Sequence, residues 1–283
     1  MQEFPSFKEV EEKTRFKEVR IFESLESTNS YLAGEAIRGA ADGLVVIAAF
    51  QEKGKGRLGR TWVSKPGESL LMSVLLRPTY LPIEASHLIT ASVALAAKSA
   101  LFNLCGVLSE IKWPNDLVIP LGTKLASGEA LEADHKIGGI LAEVGLSQNK
   151  QTTSIDWLVV GVGVNINWSG PIGSNDQAPL AISQLLISGK VASYQELAAK
   201  ILFELDPKLN KLETPFERVE VASEFRAACS TLGQMVKVAT VDDKEGFTGR
   251  AADITAEGHL VVETPICLKT VTAGDIYHLK RIN

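Results

Sequence analysis

The stretch Lys112-Trp113-Pro114-Asn115-Asp116-Leu117 stands where a predicted strand, residues 107–112, runs into a turn. Because Lys112 ends this strand and Pro114 forces an extended turn after it, we expect Lys112 to be held at the mouth of a sheet. A fixed ammonium there can neutralise a carboxylate and a phosphate brought together, which stabilises a transition state electrostatically. Asn115 and Asp116 are able to orient a ribose, and Asp116 to hold a magnesium ion. The competing explanation of Asn-Asp is ordinary turn chemistry.

Apolar patterning on both sides predicts the framework around this turn. Strands are predicted at 44–50, 69–76, 107–112, 137–144 and 157–164, and long helices at 84–104 and 194–212. After about residue 232, short β segments separated by turns predict a small all-β module, a barrel.

The chain has 283 residues, 45% of them hydrophobic, which is enough for a large core and predicts about two domains. We expect an N-terminal extension at 1–19, with ordered structure beginning near Val19. A main domain at 20–230 and the β module at 231–283 complete the predicted organisation. The segment 121–135, rich in glycine, serine and charge, is predicted to be a long surface loop.

Charge and cysteine content exclude several classes of protein. With 29 basic and 34 acidic side chains, the net charge of −5 has the wrong sign for a general nucleic-acid binder. The three cysteines are far apart and in no metal-ligand spacing, which indicates a reducing cytoplasm, without disulfides or zinc. The N-terminus has no apolar leader, and the most apolar stretch, 88–104, is interrupted by Lys98, so no membrane span is expected.

A glycine-rich cationic loop, Gly54-Lys55-Gly56-Arg57-Leu58-Gly59-Arg60-Thr61-Trp62, follows the strand at 44–50. It matches Gly-x-Gly-x-x-Gly, but the residues after it begin a helix poorly, so a dinucleotide-binding loop is excluded on context. No Gly-Lys-Ser/Thr ends it, which excludes a Walker A loop. Free backbone N–H groups and cations suit an anionic ligand such as a polyphosphate or acyl phosphate, and Trp62 is able to stack on a base. The alternative is a solvated basic turn.

Two further patterns offer neutral polar groups and open space. Ser27-Thr28-Asn29 is an N-cap cluster with three hydrogen-bonding side chains. Glycines interrupt the apolar strands in Lys136-Ile137-Gly138-Gly139-Ile140-Leu141-Ala142-Glu143 and in Gly161-Val162-Gly163-Val164-Asn165. A glycine inside a strand indicates either close approach of a ligand or backbone, or a bulge.

Taken together and in this order, these motifs resemble the biotin protein ligases, over roughly residues 24–212. Gln51 before the cationic loop belongs to the same pattern, and Lys-Trp-Pro-Asn-Asp is its most specific part. The resemblance implies an α+β fold: a mixed β-sheet of the class II synthetase-like catalytic domain, with helices on one side, followed by an SH3-like β-barrel.

The resemblance also implies a reaction. The family makes biotinyl-5′-adenylate from biotin and Mg-ATP with release of pyrophosphate, and then transfers biotin to one lysine of a biotin carboxyl carrier domain. It implies ATP, Mg²⁺ and biotin as ligands, a carrier protein as partner, a cytoplasmic location and a possible homodimer. About twenty residues precede the pattern, so we expect the monofunctional type, without an N-terminal DNA-binding domain.

The family's residue roles carry over position by position. The implied catalytic residues are Lys112 and Arg57. The implied biotin-binding residues are Ser27, Thr28, Asn29, Gln51, Lys55, Gly56, Arg57, Lys112, Gly138, Gly139, Gly161 and Gly163. The implied ATP-binding residues are Arg57, Arg60, Trp62, Lys112, Asn115, Asn165 and Lys280, and Asp116 is the implied magnesium ligand.

The chain departs from the family pattern in three places. Lys55 stands where the loop usually has arginine, which keeps the charge but loses the bidentate fork, so a weaker hold on the intermediate is expected. The 121–135 loop is longer than usual, and the last strand carries an extra residue, with Lys280 in place of arginine. The sister lipoate ligases, and a module that only sequesters biotin or an adenylate, are the alternative functions.

Overall fold

The computed structural model describes residues 5–148, 153–168, 181–239, 245–272 and 275–278. In these ranges the helices are α1 (Phe7–Lys13), α2 (Thr28–Ile37), α3 (His87–Cys105), α4 (Gln184–Ser188), α5 (Tyr194–Lys211) and α6 (Pro215–Ala228). The strands are β1 (Glu18–Leu25), β2 (Leu44–Gln51), β3 (Ser69–Leu76), β4 (Glu110–Lys112), β5 (Asp116–Ile119), β6 (His135–Gln148), β7 (Thr153–Asn165), β8 (Met235–Ala239), β9 (Phe247–Ile254), β10 (Leu260–Glu263), β11 (Leu268–Val271) and β12 (Asp275–His278).

The first seven strands form one sheet in the order β1-β2-β3-β7-β6-β5-β4. β1 and β2 run parallel, whereas the remaining neighbours are antiparallel, so the predicted mixed sheet is confirmed. In the centre, β3 pairs with β7 from Ser69 opposite Asn165 to Leu76 opposite Leu158.

Helices cover both faces of this sheet. In β2, Val45 and Ile47 belong to the main core with α3, α5 and α6, whereas Leu44 and Val46 pack with Leu32 of α2 in a second core. Successive side chains of a strand point to opposite faces, so α2 lies opposite α3. The expectation of helices on one side is therefore wrong, and the face that carries α2 is the one on which the site is built.

The N-terminal segment is ordered well before Val19. Helix α1 begins at a capping box in which Ser6 and Glu9 exchange hydrogen bonds. Val10 and Phe16 are both fully buried in the main core. The prediction that structure begins near Val19 is wrong, because two apolar anchors separated by charged residues do not register as a periodic pattern.

The segment 121–135 contains no helix or strand before His135, as predicted. It is nevertheless folded back on itself, since the N–H of Leu125 donates to the carbonyl of Glu129 and that of Leu131 to the carbonyl of Thr123. The N–H of Ala126 also donates to the carbonyl of Leu186, which ties the loop to α4.

The C-terminal strands form a separate antiparallel sheet in the order β11-β10-β9-β8-β12. Within the described residues, no pairing joins β11 to β12, so the sheet is open and the predicted barrel is wrong in that respect. Both edge strands are only four residues long, which leaves little backbone to close a ring.

Residues 83–105, which include α3, are long and apolar enough to cross a membrane by length and composition alone. However, 67% of the most apolar window is buried inside the protein, as in a core helix. It is the central element of the main core.

Candidate active site

A cavity of about 730 Å³ opens on the α2 face of the first sheet. This lies within the range of about 300–1,000 Å³ typical of small-molecule sites. Its wall contains most of the residues that the sequence predicted: Ser27, Thr28, Asn29, Gln51, Lys55, Gly56, Arg57, Arg60, Trp62, Lys112, Asn115, Asp116, Gly139, Gly161, Gly163 and Asn165.

The Ser-Thr-Asn cluster sits at the N-terminus of α2 because Ser27 is the N-cap, accepting from the N–H of Ser30. All three side chains of the cluster are buried. The backbone N–H of Thr28 donates to Oε1 of Gln51 at 2.7 Å, and the Thr28 hydroxyl donates to the same oxygen at 2.9 Å. Since its oxygen is occupied, Gln51 has its amide NH₂ group left to donate to a ligand.

Asn29 is held by three neighbouring groups. Its Nδ2 donates to the carbonyl of Leu141 at 3.2 Å and to Oε1 of Glu143 at 3.2 Å. Its Oδ1 accepts from the hydroxyl of Ser73, 2.6 Å away, and lies directly over Gly161, in the space that a β-carbon would need. Gly161 therefore does make close approach possible, but the group that approaches is a side chain of this protein.

The glycine-rich loop is a hairpin across a one-turn 3₁₀ helix, Arg57–Gly59. Its stems meet at a β-bridge between Lys55 and Thr61, and the N–H of Trp62 donates to the carbonyl of Gly54. A β-carbon on Gly54 would collide with the Trp62 carbonyl, so the narrow base of the loop requires glycine there.

Trp62 lies inside the cavity against Gly163, whose missing β-carbon would stand 2.9 Å from the indole ring. Lys136 Nζ lies 5.8 Å from the centre of the same ring. The indole Nε1 is buried and has no hydrogen-bond partner among the described residues. The space at Gly163, predicted for the biotin ring, is thus filled by Trp62.

The Lys-Trp-Pro-Asn-Asp motif forms the tight turn between β4 and β5, with Lys112 paired opposite Asp116. Asn115 binds β6 twice, since its Nδ2 donates to the carbonyl of Ile140 at 2.7 Å and its carbonyl accepts from the N–H of Ile140 at 2.9 Å. Nη1 of Arg57 donates to Oδ1 of Asn115 at 3.1 Å. The turn and the cationic loop therefore close on each other over the cavity.

Lys136 is a cavity residue that the sequence analysis quoted but did not assign. Its Nζ lies 2.6 Å from Oδ1 of Asp116, and its side chain is only 21% exposed. The signal was available, because Lys136 is near the start of the strand that carries Gly138 and Gly139. Ser73 and Glu143, which hold Asn29, were also missed, and nothing in the sequence around Ser73 distinguishes it from other strand residues.

The geometry does not favour the expected magnesium role of Asp116. Its carboxylate is already paired with Lys136, and the described residues contain no group of three or more His, Cys, Asp or Glu side chains able to hold a metal ion. Magnesium commonly binds through substrate phosphates and water with few protein ligands. An ion that arrives with a nucleotide is compatible with this wall, whereas a site made by the protein alone is not.

Two other predicted site residues, Gly138 and Lys280, are not among the described residues that line the cavity. Gly138 does not line the cavity, and a β-carbon on it would meet Leu117, Val164 and the carbonyl of Gly163 on the core side. The expected contact of Gly138 with biotin is therefore not supported. Lys280 lies outside the described residues.

Trp113 joins the site to the C-terminal sheet. It is fully buried, and its Nε1 donates to the carbonyl of Gly258 at 3.0 Å, while its backbone N–H donates to the Thr231 hydroxyl at 3.0 Å. The His87 ring lies 5.9 Å from the Trp113 ring and 5.7 Å from that of Phe225. Burial lowers the pKa of His87 from 6.5 to about 3, with His259 and Arg57 adding to the effect. His87 is thus a neutral packing residue.

The charge of the cavity wall is strongly positive. Among the described residues, Lys55, Arg57, Arg60, Lys112 and Lys136 line it, and Asp116 is the only carboxylate that does. The neutral Ser-Thr-Asn cluster and Gln51 also line it. One cavity therefore combines neutral hydrogen-bonding groups with cations suited to carboxylate and phosphate.

Comparison with known proteins agrees with this arrangement. The family model described as "Biotin/lipoate A/B protein ligase family" matches residues 21–165, and the chain belongs to this family. A second model, "Biotin protein ligase C terminal domain", matches residues 231–279, which agrees with the biotin protein ligases within the family. The predicted resemblance is confirmed.

Individual relatives support the same grouping. The biotin--[acetyl-CoA-carboxylase] ligase of Mycobacterium tuberculosis is 30% identical over 258 residues, covering 90% of this chain and 86% of the relative. The bifunctional ligase/repressor BirA of Bacillus subtilis is 26% identical, covering 89% of this chain and 71% of that protein. The solved structure of the biotin protein ligase from Aquifex aeolicus with biotin and ATP has a TM-score of 0.70 at 24% identity, covering 93% and 98% of the two chains, and shows a shared fold.

Proposed function

We propose that this protein is an ATP-dependent biotin protein ligase. It forms biotinyl-5′-adenylate from biotin and Mg-ATP, and then transfers biotin to a lysine of a biotin carboxyl carrier domain. We place the catalytic domain at 20–230, with the N-terminal extension packed on its core, and the C-terminal domain at 231–283. The observation that carries the proposal is the meeting of a neutral polar cluster and five cations in one cavity.

The neutral end suits the ureido head of biotin. A ureido group offers one carbonyl acceptor and two N–H donors, and has no charge. Ser27 and Asn29 supply buried hydroxyl and amide groups, and the half-buried Gln51 supplies its NH₂ group, which is what an uncharged polar head requires on leaving water. Recognition by this cluster would fix the direction in which the carboxylate tail of biotin points.

The cationic end suits the first half-reaction. A carboxylate oxygen attacks the α-phosphorus of ATP, the bond to pyrophosphate breaks, and an acyl-phosphate anhydride forms. Two anions must meet for this to happen, so cations already held in place remove much of the barrier. Lys112 at the end of β4, Arg57 on Asn115, and Lys136 on Asp116 are all positioned by protein contacts or by a strand end.

The remaining nucleotide contacts are assigned to residues beside the cations. Arg60, on the loop stem, would contact the phosphates, and Trp62 and Asn165 would face the adenine ring. Since Trp62 covers Gly163, we expect the indole to move as the nucleotide enters. A glycine-rich loop that closes over the intermediate then excludes water, which would hydrolyse the anhydride.

In the second half-reaction, the neutral amine of a carrier lysine attacks the acyl carbon. The bond between the acyl carbon and the phosphate oxygen breaks, AMP leaves with that oxygen, the nitrogen loses a proton to solvent, and an amide forms. The carrier domain of a biotin-dependent carboxylase is the proposed partner, and the cytoplasm the proposed location. Burial raises the pKa of Cys105 to about 11 and raises the pKa of Cys229, so these two thiols are poorly reactive and play no nucleophilic part.

Pyrophosphate release tests the proposal. The purified protein is mixed with Mg-ATP and, in parallel, with biotin, lipoate or octanoate, and Lys112→Ala is the control. Release that depends on biotin and that Lys112→Ala abolishes is the expected result. Release with lipoate alone would assign the chain to the sister activity, and biotin binding without release would indicate a sequestering protein.

A further inference from the structure

Glu143 lies just outside the cavity wall and contacts two residues of that wall from different parts of the chain. It is on β6, two residues after Leu141 and four after Gly139, so strand alternation turns it toward the same face. Its side chain is 30% exposed. Since it does not line the cavity, any effect on a ligand must pass through its neighbours.

The first neighbour is Asn29. One hydrogen of Nδ2 goes to the carbonyl of Leu141 and the other to Oε1 of Glu143, both at 3.2 Å. With both hydrogens used, the amide plane is fixed and Oδ1 is directed at Ser73. Without the carboxylate, one hydrogen of a buried amide loses its partner, and rotation of the amide is less restricted.

The second neighbour is Lys55, at the base of the glycine-rich loop. Its Nζ lies 3.2 Å from Oε1 and 3.4 Å from Oε2 of Glu143. A lysine ammonium is a point charge on a flexible side chain, so a nearby carboxylate restricts the position of the ammonium group. Because Lys55 is bridged to Thr61, holding Lys55 also holds both stems of the loop.

We propose that Glu143 is a positioning residue that couples the neutral end of the site to the glycine-rich loop, through Asn29 and Lys55. This role rests on the proposed function and concerns how two parts of the same site are held in place. Its carboxylate sets the orientation of the head-binding amide and the resting position of the loop at the same time.

Three variants separate the two contacts. Glu143→Gln keeps an oxygen that can accept from Asn29 but removes the charge that faces Lys55, so the rate of release of biotinyl-adenylate should rise about threefold. Glu143→Leu removes both contacts and should weaken biotin binding about tenfold or more, since a buried amide hydrogen is left unpaired. Lys53→Met is the matched control, because Lys53 pairs with Glu26 on the exposed surface beside the loop and should change neither quantity.

The experiment measures biotin affinity by calorimetry, adenylate release, the KM for ATP and the melting temperature for each variant. Glu143→Gln should have no further effect on release once Lys55→Met is present, because the charge then has no partner. In Glu143→Leu, the KM for ATP should change less than the biotin affinity. Additive effects in the double variant, an unaltered Glu143→Leu protein, or equal changes in biotin affinity and in the KM for ATP would each overturn the proposal.

The results that would overturn the proposed function differ from those that would overturn the role of Glu143. A wild-type protein that binds biotin but releases no pyrophosphate removes the ligase assignment, while the biotin affinities of the Glu143 variants still decide the positioning role. A wild-type protein that does not bind biotin overturns both.

Discussion

The side-chain oxygen of Asn29 occupies the space beside Gly161 in which a β-carbon would stand. Gly161→Ala should therefore push Asn29 off its partners and weaken biotin binding about tenfold or more, through the loss of buried hydrogen bonds. Calorimetric titration with biotin measures this. Gly34→Ala is the control, because Gly34 lies on α2, the helix that carries Asn29, and a β-carbon there would contact only the flexible side chain of Arg38. Equal affinity in the two variants would contradict the argument.

Lys136 should contribute to adenylation alongside Lys112, because it is a second cation held on the cavity wall. Lys136→Met removes a held cation and should slow biotin-dependent pyrophosphate release about 100-fold, the effect typical of losing one preorganised electrostatic contact. Stopped-flow measurement of the first turnover reports this step. Lys124→Met, on the exposed 121–135 loop, should leave the rate unchanged. A Lys136→Met enzyme with the wild-type rate would remove this residue from the mechanism.

The hydrogen bond from Trp113 to Gly258 should contribute to stability. Trp113→Phe leaves the Gly258 carbonyl without this donor and should lower the free energy of unfolding by about 1–3 kcal/mol, in addition to the effect of the smaller ring. Urea denaturation measures the change. Trp62→Phe is the matched variant, since Nε1 of Trp62 has no hydrogen-bond partner among the described residues. This variant should lose less free energy of unfolding. Equal losses would show that the hydrogen bond contributes nothing.

Acid should destabilise the protein in part through His87, whose pKa burial lowers from 6.5 to about 3. Between these values the unfolded chain binds a proton that the folded protein excludes, so the free energy of unfolding rises with pH by up to about 1.4 kcal/mol per unit. The stability that the neutral, buried His87 ring allows is fully present above the unfolded pKa of 6.5, and it is lost as the pH falls toward 3. His87→Phe keeps an aromatic ring but cannot titrate, so its stability should depend less steeply on pH between these values. An unchanged slope would refute this.

Local chemistry explains what the sequence could predict. Ser27 is a good N-cap, so the Ser-Thr-Asn cluster could be placed at the start of a helix. Pro114 cannot continue a strand, so Lys112 could be placed at the end of β4. These features depend on one short stretch of chain. The apolar runs likewise identify the central strands, because burial on both faces needs no knowledge of the partners.

The parts that escaped prediction depend on contacts between distant segments. Ser73 and Glu143 reach Asn29 only after three strands and a helix have assembled. Trp62 fills the space at Gly163 because the loop folds back over β7, which no pattern within the loop reveals. The open C-terminal sheet likewise follows from which strands pair, whereas the sequence specifies only that strands are present.

The five cations of the cavity belong to a protein whose net charge is −5. Fields of exposed charges fade within about 8 Å at physiological ionic strength, so the positive region acts only on molecules that reach the mouth of the cavity. A small anion that reaches the mouth is therefore attracted by the cations of the wall, although the protein as a whole carries a net negative charge.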